Sequence, residues 1–252
     1  MTGIEVIAEI WRRATSVQPV PPALAVALVA LAAMGLVLIP ALWPYTRMLV
    51  TITHEGGHAI AALASGRRLR GIRLHSDTSG VTLSSGRPRG PGMVIMLVAG
   101  YLAPAVVGLG AVVLLVAGYS LGLLWLFVFL LALMLLQIRN FYGLAVIIGC
   151  AVALAAVSWY ASATLQSTLA YLLTWILLIA APKPVIELIA ERRRRRAPHS
   201  DADQLSRLTR LPAMVWALIF LVMNLAGLAV GAAVLLPALA RLVSGAANVF
   251  AG

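Results

Sequence analysis

Charged positions are spread so unevenly along this chain that the uncharged stretches outline its elements. Ala14–Thr46 carries no charge, Gly90–Ile138 none over 49 residues, Asn140–Pro182 none over 43 and Leu211–Ala240 none over 30. A helix needs about 20 apolar residues to cross a bilayer, so each of the two longest runs holds two helices. Met48–Ser65 is a further apolar stretch, broken only by His54, Glu55 and His58. The pattern predicts seven transmembrane helices, at 22–43, 46–65, 92–117, 121–138, 141–159, 165–182 and 211–236. Between the second and third, Ile72-Arg-Leu-His-Ser76 and Val81-Thr-Leu-Ser84 flank Asp77-Thr-Ser-Gly80, which reads as a β-hairpin in the loop 66–90.

Composition fixes the class. The 252 residues are 62% hydrophobic and 11% charged, against about 25% charged in a soluble domain. A soluble enzyme and a disordered chain are both excluded. The expectation is an all-α polytopic membrane protein, a single integral membrane domain over 1–252 with a small hairpin. The first apolar run is too long for a cleavable leader. Cys150 is the only cysteine, which excludes a disulfide framework and a cysteine-built zinc site.

The net charge is +11, from 19 Lys and Arg against 8 Asp and Glu. In a membrane protein such an excess sets orientation and contacts lipid headgroups, and no nucleic-acid partner is expected. The basic residues cluster at Arg12–Arg13, in the loop 66–90, at Arg139 and in the loop 183–210, which contains Arg192–Arg196. With seven spans all four clusters fall on one side. That side is read as the cytoplasm, with the N-terminus in it, and Arg47 and Arg241 fall on the other. The expected location is the cell (cytoplasmic) membrane, multi-pass.

The chemistry sits in the second span. Thr53-His-Glu-Gly-Gly-His-Ala59 places His54 and His58 at i and i+4, on one helix face, where two imidazole nitrogens can grip one Zn²⁺. Glu55 lies beside them and can act as general base toward a water that the metal activates. Two imidazoles and a carboxylate inside a span are expensive unless they serve a function. Gly56 and Gly57 have two readings: close packing against another span, or room for a substrate backbone.

This His-Glu-x-x-His motif within a span resembles the site-2 protease family of intramembrane zinc metalloproteases, in its compact bacterial form without a PDZ domain. The likeness extends over Thr53–Gly66, the hairpin segment Gly71–Thr82 and Ala99-Gly-Tyr-Leu-Ala-Pro104. It implies a zinc endopeptidase acting on a membrane-anchored protein in or near the bilayer, with His54 and His58 as zinc ligands and Glu55 as catalytic base.

The third ligand departs from the family. Its members supply an aspartate from an Asn-Pro-Asp-Gly or Leu-Asp-Gly motif in a later span. Here the nearest match is Asn140-Phe-Tyr-Gly143, with Tyr142 in the aspartate's place. Tyrosine, with a free pKa near 10, is a poor ligand at neutral pH. Glu5, Glu9, Glu187 and Glu191 read as solvated, which leaves His75/Asp77 and His199/Asp201/Asp203. The second cluster is favoured, with Asp201 ahead of Asp203 because compact relatives carry a similar Ser-Asp-Ala stretch. Ser200 and Asp201 also read as the cap of a helix before the last span.

Asn140 and Asn224 suit hydrogen bonds between helices, and the resemblance adds a contact from Asn140 to substrate or site. The hairpin edge could take an extended peptide by strand addition. Against the protease stand a non-catalytic membrane scaffold and an ion or proton transporter; an intact Glu55 favours the enzyme, since a structural metal site needs no base.

Overall fold

The computed structural model describes residues 2–194 and 200–236. His199, Arg195, Arg196 and Arg241, all singled out in the sequence, lie outside the described residues. Ten helices and one hairpin are described: α1 (Gly3–Ala14), α2 (Ala23–Leu38), α3 (Trp43–Ala64), β1 (Arg68–Leu74), β2 (Gly80–Ser85), α4 (Pro91–Val116), α5 (Ser120–Leu135), α6 (Phe141–Tyr160), α7 (Ala163–Ala180), α8 (Pro182–Arg193), α9 (Asp201–Leu208) and α10 (Ala213–Leu235).

Every segment expected to span has a helix within it. Among the described residues four helical stretches are long and apolar enough to cross alone: α4, α6, α7 with α8, and α10. A fifth arises if α2 and α3, bent by 97° at their junction, form one broken span. The bend has a local cause. Ile39 precedes Pro40 and is extended (φ −73°, ψ 119°), because a residue before proline is driven out of the helical region. At 16 residues α5 is about 24 Å long, short of a roughly 30 Å hydrocarbon core.

The bend changes which ends of the chain meet. The Gln18 N–H donates to the Gly118 carbonyl (2.8 Å) and the Ser120 hydroxyl to Gln18 Oε1 (2.7 Å). Arg13 donates to the Trp159 carbonyl (3.1 Å) and its guanidinium lies 4.8 Å from that ring's centroid. Gly118 and Trp159 stand at the C-terminal ends of α4 and α6, whereas the arginine-rich loop 66–90 leads into the N-terminus of α4. Those two ends of α4, with 26 residues between them, are about 39 Å apart. The expectation that Arg12 and Arg13 share a side with that loop is therefore corrected: they occupy opposite ends of the bundle. Likewise Arg47 and Glu187, expected on opposite sides, meet at 3.4 Å.

Small residues let the helices close on one another. A side chain at Gly231 would strike Leu178, and one at Gly227 would press on Ala105. The largest apolar cluster joins α2, α4, α5 and α7 through Ala33, Leu115, Leu124 and Leu178, all almost fully buried. A second cluster seats α9, with Ala202 and Leu205 fully buried against Leu97, Ala217 and Phe220.

The hairpin is longer than expected and leans on α3. β1 and β2 are antiparallel, with Leu74 opposite Gly80 and Ile72 opposite Thr82. The outer edge of β1 is taken by the chain itself. The Ile72 N–H donates to the Gln137 carbonyl (2.8 Å), and the Arg139 N–H donates to the Ile72 carbonyl (2.9 Å). β2 is the other edge of the two-stranded sheet.

Candidate metal centre

Helical spacing on α3 brings His54 and His58 together, with their Nε2 atoms 3.0 Å apart. Asp201 reaches them from the first residue of α9. Its Oδ2 lies 3.3 Å from His54 Nε2 and 3.2 Å from His58 Nε2. Zinc at about 2.0–2.1 Å from each of its tetrahedral ligands would set neighbouring ligand atoms about 3.3 Å apart. The triangle matches that spacing, and two imidazoles with one carboxylate form a donor set zinc accepts. Among the described residues these three are the one group of such side chains arranged to hold a metal ion.

The surroundings aim the ligands. His58 Nδ1 lies 2.7 Å from the Met96 carbonyl of α4. A carbonyl only accepts, so the Nδ1–H donates, and in the neutral imidazole this leaves the Nε2 lone pair facing His54 and Asp201. His54 meets the Tyr101 ring edge-on, centroids 4.8 Å apart, and Tyr101 stacks on Phe220 at 5.1 Å. Gly100 faces both imidazoles: a side chain there would overlap His58 and come within 2.8 Å of His54.

Asp201 is held by its neighbours. Ser200 caps α9, its hydroxyl accepting the Asp203 N–H (3.3 Å) and donating to Asp203 Oδ2 (2.7 Å). Arg192 from α8 donates to Asp203 Oδ1 at 2.6 Å. Burial pushes the Asp203 carboxyl up, but the bonds from Arg192 and Ser200 outweigh it and hold it below the usual carboxylate range. Asp203 thus fixes α9, while Asp201 faces the histidines.

Glu55 is buried, 4% exposed. Thr82 of β2 donates to Glu55 Oε2 at 2.6 Å. Gly80 sits so close that a side chain would fall within 2.8 Å of Glu55 Oε1. Thr51 donates to the Thr78 carbonyl (2.7 Å), fastening the hairpin turn one helical turn away.

The remaining candidates fall elsewhere. Asn140 grips β1 as a strand would: Oδ1 accepts the Leu74 N–H (3.2 Å) and Nδ2 donates to the Leu74 carbonyl (2.6 Å). Tyr142 is half-exposed at the start of α6 and is not in the histidine–aspartate group. His75 and Asp77 form the hairpin turn, where Ser79 donates to Asp77 Oδ1 through both N–H (2.9 Å) and hydroxyl (2.6 Å). Those bonds lower the Asp77 carboxyl. Asn224 Nδ2 donates to the Tyr101 carbonyl (3.0 Å), joining α10 to α4. The two glycines of the motif separate: Gly57 packs on Ala99 and Ala103, while Gly56 faces open space.

Sequence reasoning missed Gly100 and Thr82. Gly100 lay inside Ala99–Pro104 and Thr82 in the hairpin, but nothing local in either segment tied it to the motif.

No curated protein and no solved structure matches the chain. The family model described as Peptidase M50B-like matches residues 26–231, a stretch that includes α3, the hairpin, α4 and Asp201. A match over most of the chain, with the histidine–glutamate helix inside it, places this protein in the Peptidase M50B-like family, among the site-2 proteases.

Proposed function

We propose that the protein is an intramembrane zinc metalloendopeptidase that cleaves a membrane-anchored protein within or near the bilayer. The observation that carries this reading is the triangle of His54, His58 and Asp201, with Glu55 following His54 on the same helix. His54 Nε2, His58 Nε2 and Asp201 Oδ2 would hold the metal. When bound, zinc supplies a Lewis acid that makes water acidic and polarises a carbonyl.

The protein's own groups do the rest. The Thr82 hydroxyl holds Glu55 Oε2 and leaves Oε1 to take the proton of the attacking water. The same carboxyl then returns the proton to the leaving amine nitrogen. Burial of Glu55 and His58 limits stray water around the reacting groups. Gly80 lets the hairpin close on Glu55, and Gly56, facing open space, leaves room for a backbone to approach. An extended substrate segment would add to the edge of β2, since the edge of β1 is already paired.

In this reading the arginine-rich end, with the metal centre, is the cytoplasmic end of a multi-pass protein in the cell membrane, in contact with anionic lipid. The N-terminal helix α1 then lies on the opposite face. The short α5 and the bent α2–α3 pair would complete the seven membrane-embedded segments by local thinning or partial crossing.

The test pairs metal content with cleavage of a membrane-anchored reporter by the purified full chain. The expected result is about one zinc per chain, lost in His58→Ala. Glu55→Gln should keep the zinc and lose about 10²-fold or more in cleavage rate. Wild-type protein that takes up no zinc when supplied with it would overturn the reading.

A further inference from the structure

A second, chemically different site lies at the base of the hairpin. There a cavity of about 410 Å³ is lined by Ser65, Gly66, Arg67, Gly86, Arg87, Arg89, Gly90 and the first residues of α4, Pro91–Met93. No carboxylate lines it, and none of its three arginines has an ion-pair partner among the described residues. Like charges gathered around one cavity repel one another, and a concave wall concentrates their field. Arg67 is braced for the position: Nε donates to the Ser84 hydroxyl (3.0 Å) and Nη1 to the Arg87 carbonyl (2.6 Å). Arg87 and Arg89 are exposed, and their side chains make no hydrogen bond among the described residues.

The opposite wall is the start of α4, where Met93 and Val94 donate to the Gly90 carbonyl (3.1 and 3.3 Å) and Pro91 has no N–H, which leaves the Gly92 N–H and the positive end of the helix dipole. Glycines at 66, 86, 90 and 92 keep the cavity open to backbone approach. The planar donors of arginine match the oxygens of a tetrahedral anion. We propose that this cavity binds a phosphate group, carried by a lipid headgroup or free in solution. Arg67 precedes β1 and Arg87 and Arg89 follow β2, so a bound phosphate would tie both legs of the hairpin to α4. Binding here requires no metal at His54 and His58.

The experiment uses the full chain, delipidated in an uncharged detergent, titrated with inorganic phosphate and, separately, with dioctanoyl phosphatidic acid by phosphorus NMR. Saturable binding is expected, weakened by about tenfold or more in Arg87→Gln/Arg89→Gln. The charge-matched Arg68→Gln/Arg73→Gln, whose exposed side chains lie outside the cavity, should leave it unchanged. Saturation by phosphate supports the site with the free anion sufficient; saturation by phosphatidic acid alone supports it and assigns the headgroup. Equal weakening in the two double variants, or no saturation with either probe, overturns it.

Discussion

Around the metal position each side chain has a separable duty, which makes substitutions there diagnostic. Asp201 offers its carboxylate to the histidines, while Asp203, two positions on, is tied to Arg192 and Ser200. Asp201→Asn should therefore remove a ligand outright. Asp203→Asn should leave the ligands intact and loosen α9, weakening zinc binding by about 10–100-fold, the usual effect of losing a partner that orients a ligand. Competition with a zinc chelator would rank them, and equal losses would mean that Asp203 also binds metal. Gly100→Ala is the complementary case. Its methyl group must displace the His58 ring, so zinc affinity should fall, whereas Gly56→Ala, with open space around it, should keep zinc. The histidine–glutamate helix was legible in the sequence because its residues lie within one helical turn. Asp201 was reached only by elimination and resemblance, because α9 is placed by long-range packing of Ala202 and Leu205. Gly100 was illegible for another reason: its contribution is the absence of a side chain, which means something only once α4 lies against α3.

At the scale of elements, the hairpin is held from three directions. Thr82 and Thr78 fasten it to α3, Gln137 and Arg139 pair with Ile72, and Asn140 closes both backbone groups of Leu74. The turn at Asp77–Gly80 and the flanking alternation were readable locally, so the hairpin was expected, though its strands run longer. That residues 137–140 form its third member was not readable, since a five-residue connection between helices carries no alternating pattern. This pairing corrects the picture of a freely available hairpin: one edge is occupied and one remains. Asn140→Asp replaces the donor facing the Leu74 carbonyl by an acceptor, and the unmet, partly buried bond should cost about 1 kcal/mol or more locally. Faster amide hydrogen exchange at Ile72 and Leu74, with zinc content unchanged, is the expected result. Slower cleavage would follow if β2 receives the substrate. Exchange rates equal to wild type would show that Asn140 does not hold the strand.

At the scale of the whole molecule, hydropathy and charge revealed the class but not the path of the chain. An uncharged run states how much apolar length is available and not which way it points. Ala14–Thr46 holds enough for a full span, yet Pro40 turns α3 at 97° to α2. Counting both as full crossings put Arg12 and Arg13 with the arginine loops, and the bonds of Arg13 and Gln18 to Trp159 and Gly118 place them at the far end of α4. The clusters at 66–90, Arg139 and Arg192 remain together, because the helix pairs between them return the chain to the same end. The two accounts predict different labelling. With Cys150→Ser as background, a cysteine at Gly3, which has open space around it, should react with a membrane-impermeant maleimide added outside intact cells. A cysteine at the exposed Arg87 should react only after permeabilisation. The reverse pair, outside at 87 and inside at 3, would keep the fold and invert its orientation, contrary to the positive-inside bias. Both positions labelled from one side would mean that α2 and α3 each cross fully, and that the contacts of Arg13 with Trp159 and of Gln18 with Gly118 do not form in the membrane.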